Sequence, residues 1–160
     1  MRKRISFRPI GWVYNAVPGP RYGDWEDVVS DIVLDDELAP ALDGIKEYSH
    51  IVVLFHISGV TRKQRATLRL HPRDRAEAPL VGVFATRTQY RPNPIGVTIV
   101  PLLQRQGNRL QVSGLDTYNG TPVIDIKPYV PDADLAAQAR IPEWLQHLRS
   151  TTDAREEGGS

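Results

Sequence analysis

Residues 49–57 read Ser-His-Ile-Val-Val-Leu-Phe-His-Ile, a nearly continuous apolar run rich in Val and Ile. β-Branched side chains are stiff about χ1 and pack well on a pleated surface, so the run favours a strand over a helix. Without polar alternation it suits a strand covered on both faces, as in a barrel or a central sheet. Its uninterrupted part, Ile51-Val52-Val53-Leu54-Phe55, is the longest apolar run in the chain. It falls far short of the ~20 residues that a membrane-spanning helix needs. The basic start Met1-Arg2-Lys3-Arg4 leads into Ile5-Ser6-Phe7-Arg8-Pro9, which is not the apolar core of a signal peptide. The expected compartment is the cytoplasm.

The other periodic segments also read as short strands. Residues 10–17 are β-branched and aromatic and stop at Pro18-Gly19-Pro20, a turn signal. Residues 28–34 form a second strand, and residues 36–42 a short helix limited by Pro40. Residues 65–71 alternate, with Ala66, Leu68 and Leu70 on one side and Arg65, Thr67, Arg69 and His71 on the other. Residues 80–85, 95–103 and 123–126 add strands, and residues 109–113 follow Gly107-Asn108, a hairpin turn. Only residues 143–149 read as a longer helix, with Pro142 in its first turn and Trp144, Leu145 and Leu148 as its apolar face. Many short strands without alternating helices predict an all-β fold, a small closed β-barrel with short peripheral helices. At 160 residues the chain is expected to form one domain over residues 1–150, followed by a polar, Gly-rich tail over residues 151–160.

Composition narrows the chemistry. The chain has no cysteine, which excludes a disulfide scaffold, a thiolate nucleophile and Cys-based zinc or iron–sulfur sites. His50, His56, His71 and His147 are scattered, and no metal site is expected from them. There is no Gly-x-Gly-x-x-Gly, no P-loop and no Gly-x-Ser-x-Gly elbow. The formal charge of +1 hides an asymmetry. Between Asp24 and Glu37 lie seven acids and no base, and between Arg62 and Arg75 six bases and one acid. These are either solvated faces or, for the basic segment, a surface that meets phosphate. With 13 Pro and 12 Gly the chain is also richer in turn formers than average.

Part of that excess lies in two unusual segments. In residues 82–96 a strand runs into a loop carrying Arg87 and Arg91, then Pro92-Asn93-Pro94 fixes two φ angles and Gly96 permits close backbone approach. The loop is either a stiff hairpin with surface arginines or a preformed ligand wall with an arginine fork. In residues 116–131, Asn119-Gly120 takes φ > 0 readily and Thr121-Pro122 forces an extended exit. Asp125 and Lys127, two apart on a strand, face one side, as a salt-bridged pair or as a polar cluster with Tyr129.

Read in order, Leu42-Asp43-Gly44, the Ser49-to-His56 run, His71-Pro72-Arg73, residues 81–96 and residues 119–129 resemble the TrmO (TsaA-like) family of S-adenosylmethionine-dependent tRNA methyltransferases. The most specific string is Phe84-Ala85-Thr86-Arg87 with Arg91-Pro92-Asn93-Pro94-Ile95-Gly96. The resemblance spans residues 8–145 and implies a small all-β barrel working as a homodimer. It implies an S-adenosylmethionine pocket made by Pro20, Arg21 and Tyr22 after the first strand, by His56 and Ile57, by Arg87, by Val97, and by the turn Asn119, Gly120, Thr121 and Pro122. The family has Asp where Asn119 stands, so a negative charge is missing here. The implied reaction methylates N6 of threonylcarbamoyladenosine beside the tRNA anticodon. Longer bacterial members carry a C-terminal extension that helps hold tRNA, and this sequence ends shortly after Trp144.

Methyl transfer from a sulfonium needs positioning and desolvation more than a metal or a nucleophile, but the N6 proton must leave. Asp125, His50 and Tyr129 are the candidate bases, with Lys127 tuning a neighbour. Arg91, Asn93 and the residue 62–75 segment are candidate RNA contacts. A small-molecule methyltransferase and a non-catalytic cofactor-binding module are the alternatives.

Overall fold

The computed structural model describes residues 4–19 and 23–156. Among these residues eight strands form in chain order: β1 (Gly11–Tyr14), β2 (Val29–Leu34), β3 (His50–His56), β4 (Arg69–Leu70), β5 (Val81–Gly82), β6 (Ile95–Gln106), β7 (Arg109–Ser113) and β8 (Pro122–Pro128). Six of them close an antiparallel barrel in the order β1-β2-β7-β6-β3-β8, with β8 returning to β1, while β4 and β5 pair separately. Closure removes the exposed edges that an open sheet of short strands leaves unpaired.

The core is the inner wall of the barrel. Val13, Ile32, Ile51, Val53, Val100, Leu110, Val112, Leu115 and Val123 are fully buried, and Phe55 nearly so. Each such side chain contributes about 1.5–3 kcal/mol through the apolar surface it removes from water. Along β3 the burial alternates: Ile51, Val53 and Phe55 point inward, and His50, Val52, Leu54 and His56 are half-buried outside. The expectation that both faces would be covered therefore holds for the inner face only. Across β3, β6 sets Ile95, Val97 and Ile99 on the outside, and all three are exposed.

Gly96 lies opposite Phe55, and a Cβ on it would fall inside the Phe55 ring. Its missing side chain is the space that the aromatic fills. Gly107-Asn108 makes the expected two-residue hairpin between Gln106 and Arg109. Asn108 also ties the hairpin down, donating from Nδ2 to Leu34 O at 2.6 Å and to Asp36 Oδ1 at 2.8 Å.

Several boundaries differ from the sequence reading. Residues 65–71 do not form one alternating strand. Thr61 and Gln64 make a capping box, with Thr61 N donating to Gln64 Oε1 at 2.9 Å, and this local pairing starts the helical turn α1 (Arg62–Arg65). Only Arg69–Leu70 remain paired, and Leu68 is left 71% exposed. After β5 the chain turns into a 3-10 helix, Val83–Ala85, instead of continuing as a strand. β1 ends at Tyr14, ahead of the expected Val17, while β6 passes Leu103 through a bulge and reaches Gln106. The short helix before β3 is a 3-10 helix, Asp36–Leu42, with Pro40 inside it. A further helical turn, α2, spans Pro131–Asp134, and α3 spans Glu143–Glu156, past the boundary expected at Ser150. Leu148 of α3 is buried, and its carbonyl accepts from Arg73 Nη1 at 3.3 Å.

One end of the barrel is closed by Arg105. Its Nε donates to Gly107 O at 3.1 Å, its Nη1 to Leu42 O at 3.0 Å, and its Nη2 to Ala39 O at 3.0 Å. Nη1 also pairs with Asp43 Oδ1 at 3.1 Å. One planar fork thus holds the 3-10 helix that plugs this end. The other end is left to loops.

Candidate functional site

Four loops meet at the end of the barrel away from Arg105. They leave β1, β3, the Arg87–Arg91 loop and the segment before β8, and they enclose a cleft of about 330 Å³. Pro18 and Gly19 line it from the first loop, and Ser58, Gly59 and Val60 from the second, with Gln64 of α1 behind them. Gln89 and Tyr90 come from the third loop and Tyr118 from the fourth. Among the described residues no charged side chain lines the cleft. Two tyrosine rings offer flat faces for stacking, and the Gln amides and the Ser58 hydroxyl offer hydrogen bonds. That donor set suits a planar, neutral heterocycle such as a nucleobase.

Of the residues expected at the cofactor pocket, Ile57 and Asn119 adjoin the lining residues Ser58 and Tyr118 in sequence. Pro20, Arg21 and Tyr22 lie outside the described residues. His56 ends β3, and Ile57 N donates to Pro94 O at 2.7 Å, which brings the β3 exit against the Pro92-Asn93-Pro94 loop directly before Ser58. Arg87 Nη2 donates to Val97 O at 3.1 Å, joining two of the expected positions. Gly120 has φ +81°, as the Asn-Gly turn requires. Thr121 is buried; its hydroxyl donates to Tyr118 O at 2.8 Å and accepts from Thr117 Oγ1 at 2.7 Å. Pro122 opens β8 opposite Trp12.

A residue missed in the sequence organises two of these loops. Asn15 Nδ2 donates to Ser30 Oγ at 3.0 Å and to Thr117 O at 2.9 Å, and Asn15 Oδ1 accepts from Val17 N at 3.0 Å. Asn15 N in turn donates to Asn119 Oδ1 at 3.2 Å. The bond to Val17 N is an Asx-turn, and an Asn ahead of Pro18-Gly19-Pro20 was the available signal for it. Asp116 was missed as well; it accepts a hydrogen bond from Thr98 Oγ1 and stands two positions before Tyr118.

The expected substrate and catalytic residues are not gathered at the cleft. Arg91 Nη1 donates to Thr86 O at 3.0 Å and Thr88 O at 3.2 Å, so it staples its own loop. Its guanidinium lies 5.9 Å from the centroid of the Phe84 ring. Asn93 is exposed, and its carbonyl accepts from Ile95 N at 2.8 Å. Asp125 and Lys127 form the salt bridge that their spacing allowed, 2.7 Å long, on the outer wall opposite Leu54 and Val52. His50 and Tyr129 stack edge to face with centroids 6.4 Å apart. They sit at the opposite end of β3 from His56, roughly 20 Å away at the rise of an extended strand. Among the described residues no helix is long and apolar enough to cross a membrane, and no three His, Asp or Glu side chains are grouped to hold a metal.

Comparison with known proteins agrees with this architecture. The family described as the tRNA-methyltransferase O N-terminal domain matches residues 15–135. A Pyrococcus abyssi protein named a probable S-adenosyl-L-methionine-binding protein is 35% identical over 96% of this chain and 84% of its own. An Archaeoglobus fulgidus S-adenosyl-L-methionine-binding protein is 41% identical over 84% of this chain and 96% of its own. A mouse tRNA (adenine(37)-N6)-methyltransferase is 40% identical, over 59% of this chain and 21% of its own. A crystal structure of TrmO from Pseudomonas aeruginosa superposes with a TM-score of 0.69 at 30% identity, covering 89% of this chain. A further TrmO crystal structure gives 0.71 at 33% identity. The chain spans 62% and 63% of those two solved proteins. With residues 15–135 matched to the N-terminal domain and the same barrel in solved TrmO structures, the chain belongs to the tRNA-methyltransferase O family.

Proposed function

We propose that the protein is an S-adenosylmethionine-dependent methyltransferase that modifies tRNA in the cytoplasm, with N6 of threonylcarbamoyladenosine beside the anticodon as the acceptor. The observation that carries this reading is the convergence of four loops around a cleft lined by Tyr90 and Tyr118, with no charged side chain among the described lining residues. The names of the archaeal and mouse relatives support the cofactor and the tRNA respectively.

When bound, S-adenosylmethionine supplies a methyl group activated by a positive sulfur, which a nitrogen lone pair can displace with the C–S electron pair leaving on sulfur. The residues of the chain supply position. Tyr90 and Tyr118, which line the cleft, would stack the adenine, and Gln64 and Gln89 would bond its edges. The loop carrying Gln89 and Tyr90 is stiffened from within by Arg91 and by Pro92 and Pro94, which lowers the entropy lost on binding. The acceptor nitrogen also gives up a proton. Of the carboxylates, Asp116 stands nearest in sequence to the cleft, and its contact with Thr98 fixes its orientation.

The protein works as a homodimer in this reading. Ile95, Val97 and Ile99 form an exposed apolar row on β6, beside half-buried Val52 and Leu54 of β3. A second copy would cover such a row from water.

The test is methyl incorporation from labelled cofactor into total tRNA prepared from cells with and without the threonylcarbamoyl modification. Transfer to the modified pool alone is expected. Cofactor binding without transfer to either pool overturns the tRNA assignment.

A further inference from the structure

The excursion between β3 and β6, residues 58–94, carries eight Lys or Arg and two Asp or Glu, in a chain whose total charge is +1. Arg62, Lys63 and Arg69 are exposed and form no ion pair among the described residues. Within this basic excursion Phe84 is 78% exposed, the most exposed aromatic among the described residues. A ring this exposed, with an arginine beside it, leaves a face open for a planar group to stack on.

The backbone on either side of Phe84 is also held. Val83, its neighbour, is buried, and Thr86 returns to Val83 O through its backbone N at 3.2 Å and its hydroxyl at 2.9 Å. Arg91 is fixed by Thr86 O and Thr88 O and stands over the Phe84 ring. Because Tyr90 lines the cleft, the Phe84–Arg91 pair sits one residue from its wall. A ring on a fixed backbone, with few side-chain torsions of its own, loses little entropy when a planar group lands on it.

We propose that Phe84, backed by Arg91, is a stacking platform for an unpaired base of the RNA that delivers its neighbour to the cleft, with Arg62, Lys63 and Arg69 holding the adjacent phosphates. The proposal rests on the tRNA reading above and names how that RNA is gripped. Unpaired bases in loops expose faces that aromatic and guanidinium planes can cover, whereas a duplex hides them. The basic neighbours favour RNA over a second protein copy as the occupant of this ring.

Binding of two probes by fluorescence anisotropy separates the possibilities: an RNA hairpin with an unpaired loop, and a blunt RNA duplex of the same length and charge. Phe84→Ala is expected to weaken hairpin binding about tenfold while leaving duplex binding and its salt dependence unchanged. Phe84→Tyr is expected to restore the hairpin affinity. Unchanged cofactor titration by Phe84→Ala shows that the variant is folded. Wild-type-like hairpin binding by Phe84→Ala overturns the platform alone. Loss of self-association by that variant with RNA binding intact also overturns it, in favour of a contact between copies. Failure of the wild-type protein to bind either RNA overturns the tRNA reading together with the platform.

Discussion

The side-chain oxygen of Asn119 accepts a hydrogen bond from the backbone N–H of Asn15 at 3.2 Å, joining the turn before β8 to the exit of β1. A backbone N–H needs an acceptor there, and the oxygen of an amide serves as well as that of a carboxylate. An Asp in place of Asn119 would offer the same acceptor, so the charge is not needed to hold this loop junction.

Asn119→Asp is accordingly expected to melt within a degree or so of wild type and to bind cofactor with similar affinity. Asn119→Ala removes the acceptor and is expected to cost about 0.5–1.5 kcal/mol of stability and to weaken cofactor binding. Thermal melts and calorimetric titration check both. A larger loss for Asp than for Ala would show that charge, rather than acceptance, matters at this turn.

Gly96→Ala places a methyl group in the Phe55 ring. Phe55 is buried and cannot swing outward without opening the barrel. A loss of about 1–3 kcal/mol is expected, the range for overpacked cores. The double variant with Phe55→Leu should recover part of it, as read by urea unfolding.

Arg105→Lys is expected to destabilise by about 2–3 kcal/mol, because one ammonium cannot reach the separate carbonyls of Ala39, Leu42 and Gly107 that the fork serves. Arg105 closes the barrel end opposite the cleft, so cofactor affinity should be unchanged. Urea midpoints and titrations read the two effects separately.

Ile99→Asp sets a charge in the apolar row on β6. Ile99 is 52% exposed, so the fold should survive. Sedimentation equilibrium is expected to show dimer for wild type and monomer for the variant. A wild-type monomer would remove the dimer reading.

Asp116→Asn keeps an acceptor for Thr98 and removes the ability to take a proton. The turnover rate is expected to fall about 100-fold or more with cofactor affinity preserved, the loss typical of a general base. Parallel rate and binding measurements decide it; an unchanged rate assigns Asp116 to structure alone.

Much of the barrel is legible in local patterns. The residue 49–57 run, the alternation of residues 109–113 and the Gly107-Asn108 turn each emerge where their chemistry requires. The reading failed where two local signals competed. Residues 65–71 alternate like a strand, but the Thr61–Gln64 capping box acts through adjacent hydrogen bonds and prevails. Of the expected cofactor positions, Ile57 and Asn119 stand beside lining residues in sequence, and none of the described ones is among the lining residues, since sequence locates loops more sharply than the side of a loop that faces inward.

The amino-acid sequence by itself determined that this chain makes short strands and stiff Pro/Gly turns, and that its charge divides into an acidic and a basic segment. Strand period and turn geometry are properties of neighbouring residues. Closure decided the rest. It put His50 and Tyr129 at one end of β3 and the cleft at the other, turned Asp125 and Lys127 to the outer wall, and brought Asn15 to Asn119 across 104 residues of chain. Those distances depend on strand order and register in the barrel, which are set by packing the whole core at once.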